Sequence, residues 1–339
     1  MLLVKLATAV VVIASALVTA ASPLDRRATY TNPVKPGGGA DPWVIKIGDS
    51  YFMTYTTGGD IRVTRSSNLA QWAETGVQVW APNGQDYGSI WAPELHVVNG
   101  TFYIYAAMTR SNGNNADHRM FAFRGRSTTD PLQAFDLVSQ VTSPDNNWAI
   151  DGTFWQHTNG KMYFIWSGWT SAADQLNQYL YIAPMDSPTH ISGSRVLLHS
   201  PSFAWQRSGS NGVNEGPEIL VSNGRTFLVY SAAGSWTSQY CLALMGIDGS
   251  ADPLNPSSWW RVDDRPIMST ANGVYGPGHA SFVKDRAGKD YIVYHADATA
   301  TGGWDGRTIR VEPFKWNADS SPWLPSPPSP FGVTFDLPA

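Results

Sequence analysis

Five stretches of the chain share one pattern of apolar and polar positions: "ADPWVIKIGDSYFMTYTT", "WAPELHVVNGTFYIYAAM", "AIDGTFWQHTNGKMYFIWSG", "NEGPEILVSNGRTFLVYSAAG" and "PGHASFVKDRAGKDYIVYHAD". In each, two short runs rich in aromatic and β-branched residues flank Gly-Asp, Asn-Gly or Ala-Gly-Lys, which predicts a β-hairpin. Further strand-like runs follow, in "IRVTRSSNLAQW", "RMFAFRGRSTTDPLQAF", "YLYIAPMDSPTHI", "CLALMGIDGSADPLNPSSW" and "IRVEPFKW". The turns at Gly48, Asn99, Asn159, Asn223 and Gly288 lie about 50 to 65 residues apart, the range of propeller blades carrying insertions. Helical periodicity is almost absent. The pattern therefore predicts an all-β, single-domain, five-bladed β-propeller. A β-sandwich of similar strand number would leave the regular period unexplained. The tail "SSPWLPSPPSPFGVTFDLPA" is expected to pack over the first blade or to close the ring.

The segment before the repeats reads differently. Residues 1–21 place Lys5 ahead of an apolar run from Leu6 to Leu17 and end on Thr19, Ala20 and Ala21, the plan of a secretory signal peptide. That run is shorter than the roughly 20 residues a membrane-spanning helix needs. Residues 22–27 end in Arg26-Arg27 and read as a pro-segment, so residues 28–339 form the propeller domain of a secreted, extracellular protein with no membrane partner. Loss of Lys5, Arg26, Arg27 and Asp25 takes the formal charge from −4 to −6, which argues against nucleic acid as a partner. The single cysteine, Cys241, lies in the strand-like "QYCLALMG" and predicts a buried inert thiol, not a disulfide framework. A monomer stabilised by core burial is expected. The 15 Trp and 14 Tyr stand out: some serve the core, and that many planar amphipathic rings also suit a ligand with flat apolar faces and a hydroxyl rim. Asn99-Gly100-Thr101 is an N-glycosylation sequon set in a hairpin turn.

In a propeller the innermost strand of each blade lines a central channel, so the openings of the five repeats converge. Those openings carry Asp41, Ala92-Pro93, Asp151, Glu215 and Gly278-His279. Three carboxylates are thus predicted to meet in a partly dry hollow, in the apolar or Gly/Pro settings "GGGADPW", "WAIDGTF" and "GVNEGPEIL". Grouping like charges there raises at least one pKa, which is how a protein obtains a carboxylic acid near neutral pH. On this reading Asp151 sets the field around a neighbour. Glu94 and Glu218, three residues into "WAPEL" and "GPEIL", are expected to turn away from the channel and bond backbone or an arginine.

The texts "ADPWV", "IWAPELH", "WAIDGTF", "NEGPEIL" and "GPGHASF", in this order over Asn32 to Trp316, resemble the glycoside hydrolase family 43 arabinanases, arabinofuranosidases and β-xylosidases. They are most similar to the exo-acting α-1,5-L-arabinofuranosidase branch. The resemblance implies a five-bladed propeller with Asp41 as general base, Glu215 as general acid and Asp151 as the residue that tunes and orients the acid. It implies that Arg307 in "GRTIRVEPFKW" reaches the sugar of the first subsite, with Arg310 close enough to be confused with it. It places His279 under the triad, near substrate and near a bound water or metal ion, so a calcium or sodium ion in the channel is an expectation at that residue. No cofactor is required: no dinucleotide or P-loop fingerprint and no Cys/His constellation is present. Trp91 and Trp169 are candidates to stack on sugar rings, and Phe154 and His96 to wall the pocket.

The implied activity is inverting release of L-arabinofuranose from the non-reducing ends of α-1,5-arabinan and its oligosaccharides. An endo-arabinanase or β-xylosidase on the same scaffold remains open, since loop shape decides between pocket and cleft. A retaining fructan-type hydrolase would carry Arg-Asp-Pro and Glu-Cys motifs, which this sequence lacks. A non-catalytic sugar-binding propeller would have no use for three converging acids.

Overall fold

The computed structural model describes residues 28–110, 113–301 and 303–338, and the signal peptide and pro-segment expected over residues 1–27 lie outside them. Five antiparallel sheets follow one another along the chain. The first blade runs through strands Trp43–Ile47, Ser50–Thr54, Ile61–Ser66 and Val77–Trp80. The second uses Tyr87–Val98, Thr101–Arg110, Arg119–Gly125 and Phe135–Val141. The third uses Ala149–Gln156, Met162–Gly168 and Tyr179–Ser187, whose outer edge pairs with both His190–Ile191 and Val196–His199. The fourth is Asn214–Ser222, Arg225–Ala232, Cys241–Asp248 and Trp260–Arg261. The fifth has three strands, Tyr275–Lys284, Asp290–Asp297 and Arg307–Pro313. Helix among the described residues is limited to three short 3-10 turns. None is long and apolar enough to cross a membrane.

The turn chemistry explains the hairpins. Asn99-Gly100 and Asn223-Gly224 hold positive φ at both residues, and the flanking pairs Val98↔Thr101 and Ser222↔Arg225 make each a two-residue loop whose twist matches the strands. The alternating aromatic strands bury their rings between blades. Five apolar clusters result, one in each gap around the ring: Phe52 and Ile104 between blades one and two, Tyr105 and Phe164 between two and three. Ile165 and Leu228 fill the next gap, Phe227 and Ile292 the fourth, and Met53 and Val293 the gap between blades five and one. A sandwich would bury one layer between two sheets; this arrangement is the propeller. Cys241 is buried and its thiol is pushed up to about 12 by burial, so it is inert at ordinary pH.

The fifth blade's missing outer strand is replaced by the chain ends. Asn32 uses its side-chain amide as a strand would: its Nδ2 donates to the Val311 carbonyl at 3.0 Å and its Oδ1 accepts from the Val311 N–H at 2.9 Å. Tyr30 Oη donates to the same carbonyl at 2.9 Å. Thr29–Thr31 then pairs with Thr334–Asp336, so the tail meets the start of the domain and joins the cluster between blades five and one.

Candidate active site

The convergence of the repeat openings has a specific backbone cause. The inner strands of blades two to five skip two residues in pairing with their neighbours: between Trp91 and Glu94, Ile150 and Thr153, Glu215 and Glu218, Gly278 and Ser281. The first skipped residue is Ala92, Asp151, Gly216 or His279, with φ of 42°, 53°, 53° and 44°, and Asp41 just ahead of blade one's inner strand has φ of 54°. Blades two to five therefore open on a bulge whose first residue is left-handed, and blade one on a left-handed residue just ahead of an unbulged strand; such positions re-aim side chains and cost of order 1–3 kcal/mol at a residue other than glycine. Asp151 and His279 hold the bulge position itself, and Asp41 the corresponding left-handed position ahead of blade one. Glu215 stands one residue earlier, with Gly216 supplying the turn, so it approaches the same hollow from a different backbone position.

Asp41 is the best-supported charge. Its Oδ1 lies 3.3 Å from Arg307 Nη1, 3.2 Å from His279 Nδ1 and 3.3 Å from His295 Nδ1, and its Oδ2 accepts from Thr56 Oγ1 at 2.6 Å. Thr56 Oγ1 in turn accepts from the Ala92 N–H at 2.7 Å, tying blade one to blade two. Burial pushes the Asp41 carboxyl up, but His279, Arg307 and the His295 contact outweigh it and hold the group well below the ordinary range. Burial keeps both imidazoles below their usual range, His295 down to about 4. At neutral pH the permanent guanidinium of Arg307 is therefore the charge that keeps Asp41 ionised.

Glu215 has the opposite environment. Burial raises its carboxyl to about 7; Tyr240, whose hydroxyl donates to Oε1 at 2.8 Å, pulls it down, the Asp41 charge pushes it up, and Arg307 and Ser235 act downward. Asp151 is also fully inside the hollow, with Oδ2 accepting from the Gly216 N–H at 3.2 Å and lying 3.8 Å from His279 Nδ1. The field that Asp151 is expected to set around its neighbour meets a competing force. Burial first, then the Glu215 and Asp41 charges, hold the Asp151 carboxyl well above the ordinary range, so Asp151 and Glu215 titrate as a pair that keeps a proton.

These groups line one cavity of about 740 Å³ together with Trp91, Trp148, Trp169, Ser235, Trp236, Trp304 and Arg307. Trp91 lies half-buried with its ring 3.8 Å from that of His118 and stacked on it. Trp169 lines the wall but is buried and stacked on Trp148 at 4.5 Å. Phe154 and His96 do not line it. Phe154 packs parallel to Tyr105 at 6.0 Å, and His96 rests against Trp43 with Nε2 2.8 Å from Glu94 Oε2. Both side chains belong to the tier below the bulge, where strand alternation carries them into blade packing. Arg310 is fully buried and bonds Tyr294 Oη and the Ser329 carbonyl, which separates it from Arg307.

Glu94 and Glu218 depart from their expected partners as well. Among the described residues neither bonds an arginine: Glu94 meets His96 and Thr153, and Glu218 Oε2 is buried without a hydrogen-bond partner. Both occupy the pairing position just after the bulge, and burial holds both well above the ordinary carboxyl range, with the Glu218 charge adding to the rise at Glu94.

Thr56, Ser235, Tyr240 and His295 were not foreseen. Thr56 and Ser235 lie just past strand ends, Tyr240 just ahead of Cys241–Asp248 and His295 inside Asp290–Asp297, all in segments that read as packing, and only the carboxyls that folding brings against them give them a role. The ion expected at His279 finds no cage: among the described residues no three His, Cys, Asp or Glu side chains are grouped to hold a metal. Calcium takes roughly six to eight oxygen ligands, so these protein groups alone do not fit it.

An ionised carboxylate and a proton-bearing carboxyl facing one sugar-sized cavity can deprotonate water and protonate a leaving oxygen. Comparisons with known proteins agree with that chemistry. Residues 30–322 match the family model described as glycosyl hydrolases family 43. The chain is 32% identical over 344 residues to the extracellular exo-α-(1→5)-L-arabinofuranosidase of Streptomyces avermitilis, covering 95% of this chain and 69% of that one. It is 32% identical to α-L-arabinofuranosidase B of Pyricularia oryzae, covering 87% of this chain but only 63% of that protein's length. The crystal structure of an α-L-arabinofuranosidase from Lactobacillus brevis superposes with a TM-score of 0.81 at 29% identity, over 90% of this chain and 98% of that one. From the family match, the five blades and the carboxyl groups they gather, this chain belongs to glycosyl hydrolases family 43.

Proposed function

We propose that this chain releases L-arabinofuranose from the non-reducing ends of α-1,5-linked arabinan and its oligosaccharides, with inversion at the anomeric carbon. The observation that carries the reading is the split between two carboxyls in one cavity: Asp41 held ionised beside Arg307, Glu215 raised to about 7. Asp41 takes a proton from a water on one face of the anomeric carbon as that water's oxygen forms the new bond. Glu215 gives its proton to the glycosidic oxygen on the other face as the old bond breaks. The free sugar and the shortened chain leave, and proton exchange with solvent restores both carboxyls. Asp151 holds the Gly216 amide beside the acid and shares the pair's proton, so it orients Glu215 and tunes its titration. Arg307 serves both Asp41 and the sugar hydroxyls, while Trp91 and Trp169 offer apolar walls to the ring. The names of the Streptomyces and Pyricularia relatives support the sugar, and that of the Streptomyces relative the exo mode.

The protein is further proposed to act outside the cell as a monomer, after removal of residues 1–21 and cleavage following Arg27. N-terminal sequencing of the secreted form should begin near Ala28.

The deciding experiment is a product time course on debranched arabinan, with proton NMR of the first sugar formed. Arabinose alone from the outset, appearing as the inverted anomer, is expected. A ladder of oligomers would make the activity endo, and retention would remove the roles given to Asp41 and Glu215.

A further inference from the structure

Two tryptophans at the mouth of the cavity take no part in the chemistry above. Trp236 is 39% exposed and Trp304 60%, with ring centroids 5.8 Å apart and planes crossed at 69°. Indoles left in water contribute little to a core, and a paired apolar patch rimmed by polar groups marks a contact surface. Trp236 follows blade four's second strand and Trp304 lies between the last two strands of blade five. The backbone accommodates them: a Cβ on Gly234 would stand 2.7 Å from the Trp236 ring, so only glycine lets that indole fold back over its turn. Trp304 is tied at two points. Its Nε1 donates to Ser235 Oγ at 3.3 Å, and its carbonyl accepts from Arg307 Nε at 3.1 Å. Ser235 is hydrogen-bonded to Glu215, and Arg307 to Asp41.

Chemistry decides which side of the scissile bond these rings serve. The proton donor sits beside the departing oxygen, and the base works on the opposite face of the anomeric carbon. The departing residue therefore leaves past Glu215 and its partner Ser235, where the two indoles stand. The Trp91, Trp148 and Trp169 wall comes instead from blades two and three. We infer that Trp236 and Trp304 form an aromatic corner that binds the departing arabinofuranosyl residue, and so set a preference for a sugar leaving group over a small alcohol. The crossed planes present one ring face and one ring edge, which suits the apolar face and hydroxyl rim of a furanose. Through Ser235 and Arg307, filling the corner also fixes the side chains next to both reacting carboxyls.

This inference rests on the arabinan reading, and its test separates the two. The probes are linear α-1,5-arabinotriose, whose leaving group is a sugar, and methyl α-L-arabinofuranoside, whose leaving group has no ring. In Trp236→Ala and Trp304→Ala the ratio of kcat/KM for the trisaccharide to that for the methyl glycoside should fall roughly tenfold, the worth of one aromatic contact. Trp304→Phe, which keeps a ring, should lose less of that ratio; a merely structural role would lower both substrates together in every variant. An unchanged ratio in both alanine variants, with wild-type protein active on both probes, overturns the aromatic corner alone. Wild-type protein inactive on both overturns the functional reading and the corner with it.

Discussion

Tyr240 and Glu215 show how one hydrogen bond positions a working pKa. The Tyr240 hydroxyl donates to Glu215 Oε1 at 2.8 Å, a bond worth more to the ionised carboxylate than to the acid, so it pulls against burial. Removing it in Tyr240→Phe leaves burial and the Asp41 charge less opposed, and Glu215 moves above about 7. Because Glu215 must carry a proton to act, the basic limb of the kcat/KM profile should move upward by roughly one pH unit. A limb that stays or falls would take the donor role away from Glu215. The acid limb belongs to Asp41, and Arg307 keeps it below the ordinary carboxyl range.

At the scale of the element, the left-handed residue that opens each inner strand, set in a bulge in blades two to five, is what turns five hairpins into a site. Its demand falls hardest on blade four, where Gly216 holds φ of 53° and a Cβ would lie 3.2 Å from the His279 ring. Gly216→Ala should therefore both strain the backbone and push the imidazole that lies against Asp41. The expected cost is about 1–3 kcal/mol of stability, read by denaturant unfolding, with kcat falling further than stability alone explains. Ala92 already accepts φ of 42° in blade two, and Ala92→Gly at the equivalent turn provides the control: it should be neutral or stabilising. Equal losses in both variants would argue that the bulge is not the element that aims the carboxyls.

The whole molecule is a ring that must be closed and a channel that must hold buried acids. Closure rests on Asn32, whose amide makes two bonds to Val311 where the fifth blade lacks an outer strand. Asn32→Ala leaves the Val311 N–H without its partner and the Val311 carbonyl with Tyr30 alone, and should cost about 1–3 kcal/mol, lowering Tm without altering kcat at temperatures where the ring is intact. The channel acids act through pH. Burial raises Glu218 in the folded chain well above its ordinary value, so the folded state keeps a proton that the unfolded chain releases. That contribution to stability is present below the unfolded pKa of about 4.3 and is lost as pH rises toward the raised folded value. Glu218→Gln removes the titration, so its Tm should gain on that of the parent as pH goes from acid to neutral; a gap that narrows would contradict the buried carboxyl.

Much of this architecture is legible in the residues. The fivefold hairpin period, the Asn-Gly turns and the aromatic alternation specify blades because strand pairing and turn geometry are local properties of the chain. The positions of Asp41, Asp151 and Glu215 follow from that period, since equivalent places in a closed repeat must meet at its axis. Tertiary structure alone decided the rest. Which carboxyl loses its proton depends on Arg307 and on burial, and both reach Asp41 and Glu215 from other blades. Phe154 and His96 fell to blade packing, not to the pocket, because each bulge sets two residues against one and so turns every following side chain to the other face, and no local signal marks a bulge beforehand. Trp236 and Trp304 are 68 residues apart and become a pair only when blades four and five stand side by side. Periodicity is written along the chain, whereas the field at a buried carboxyl is the sum over whatever folding brings within a few ångströms.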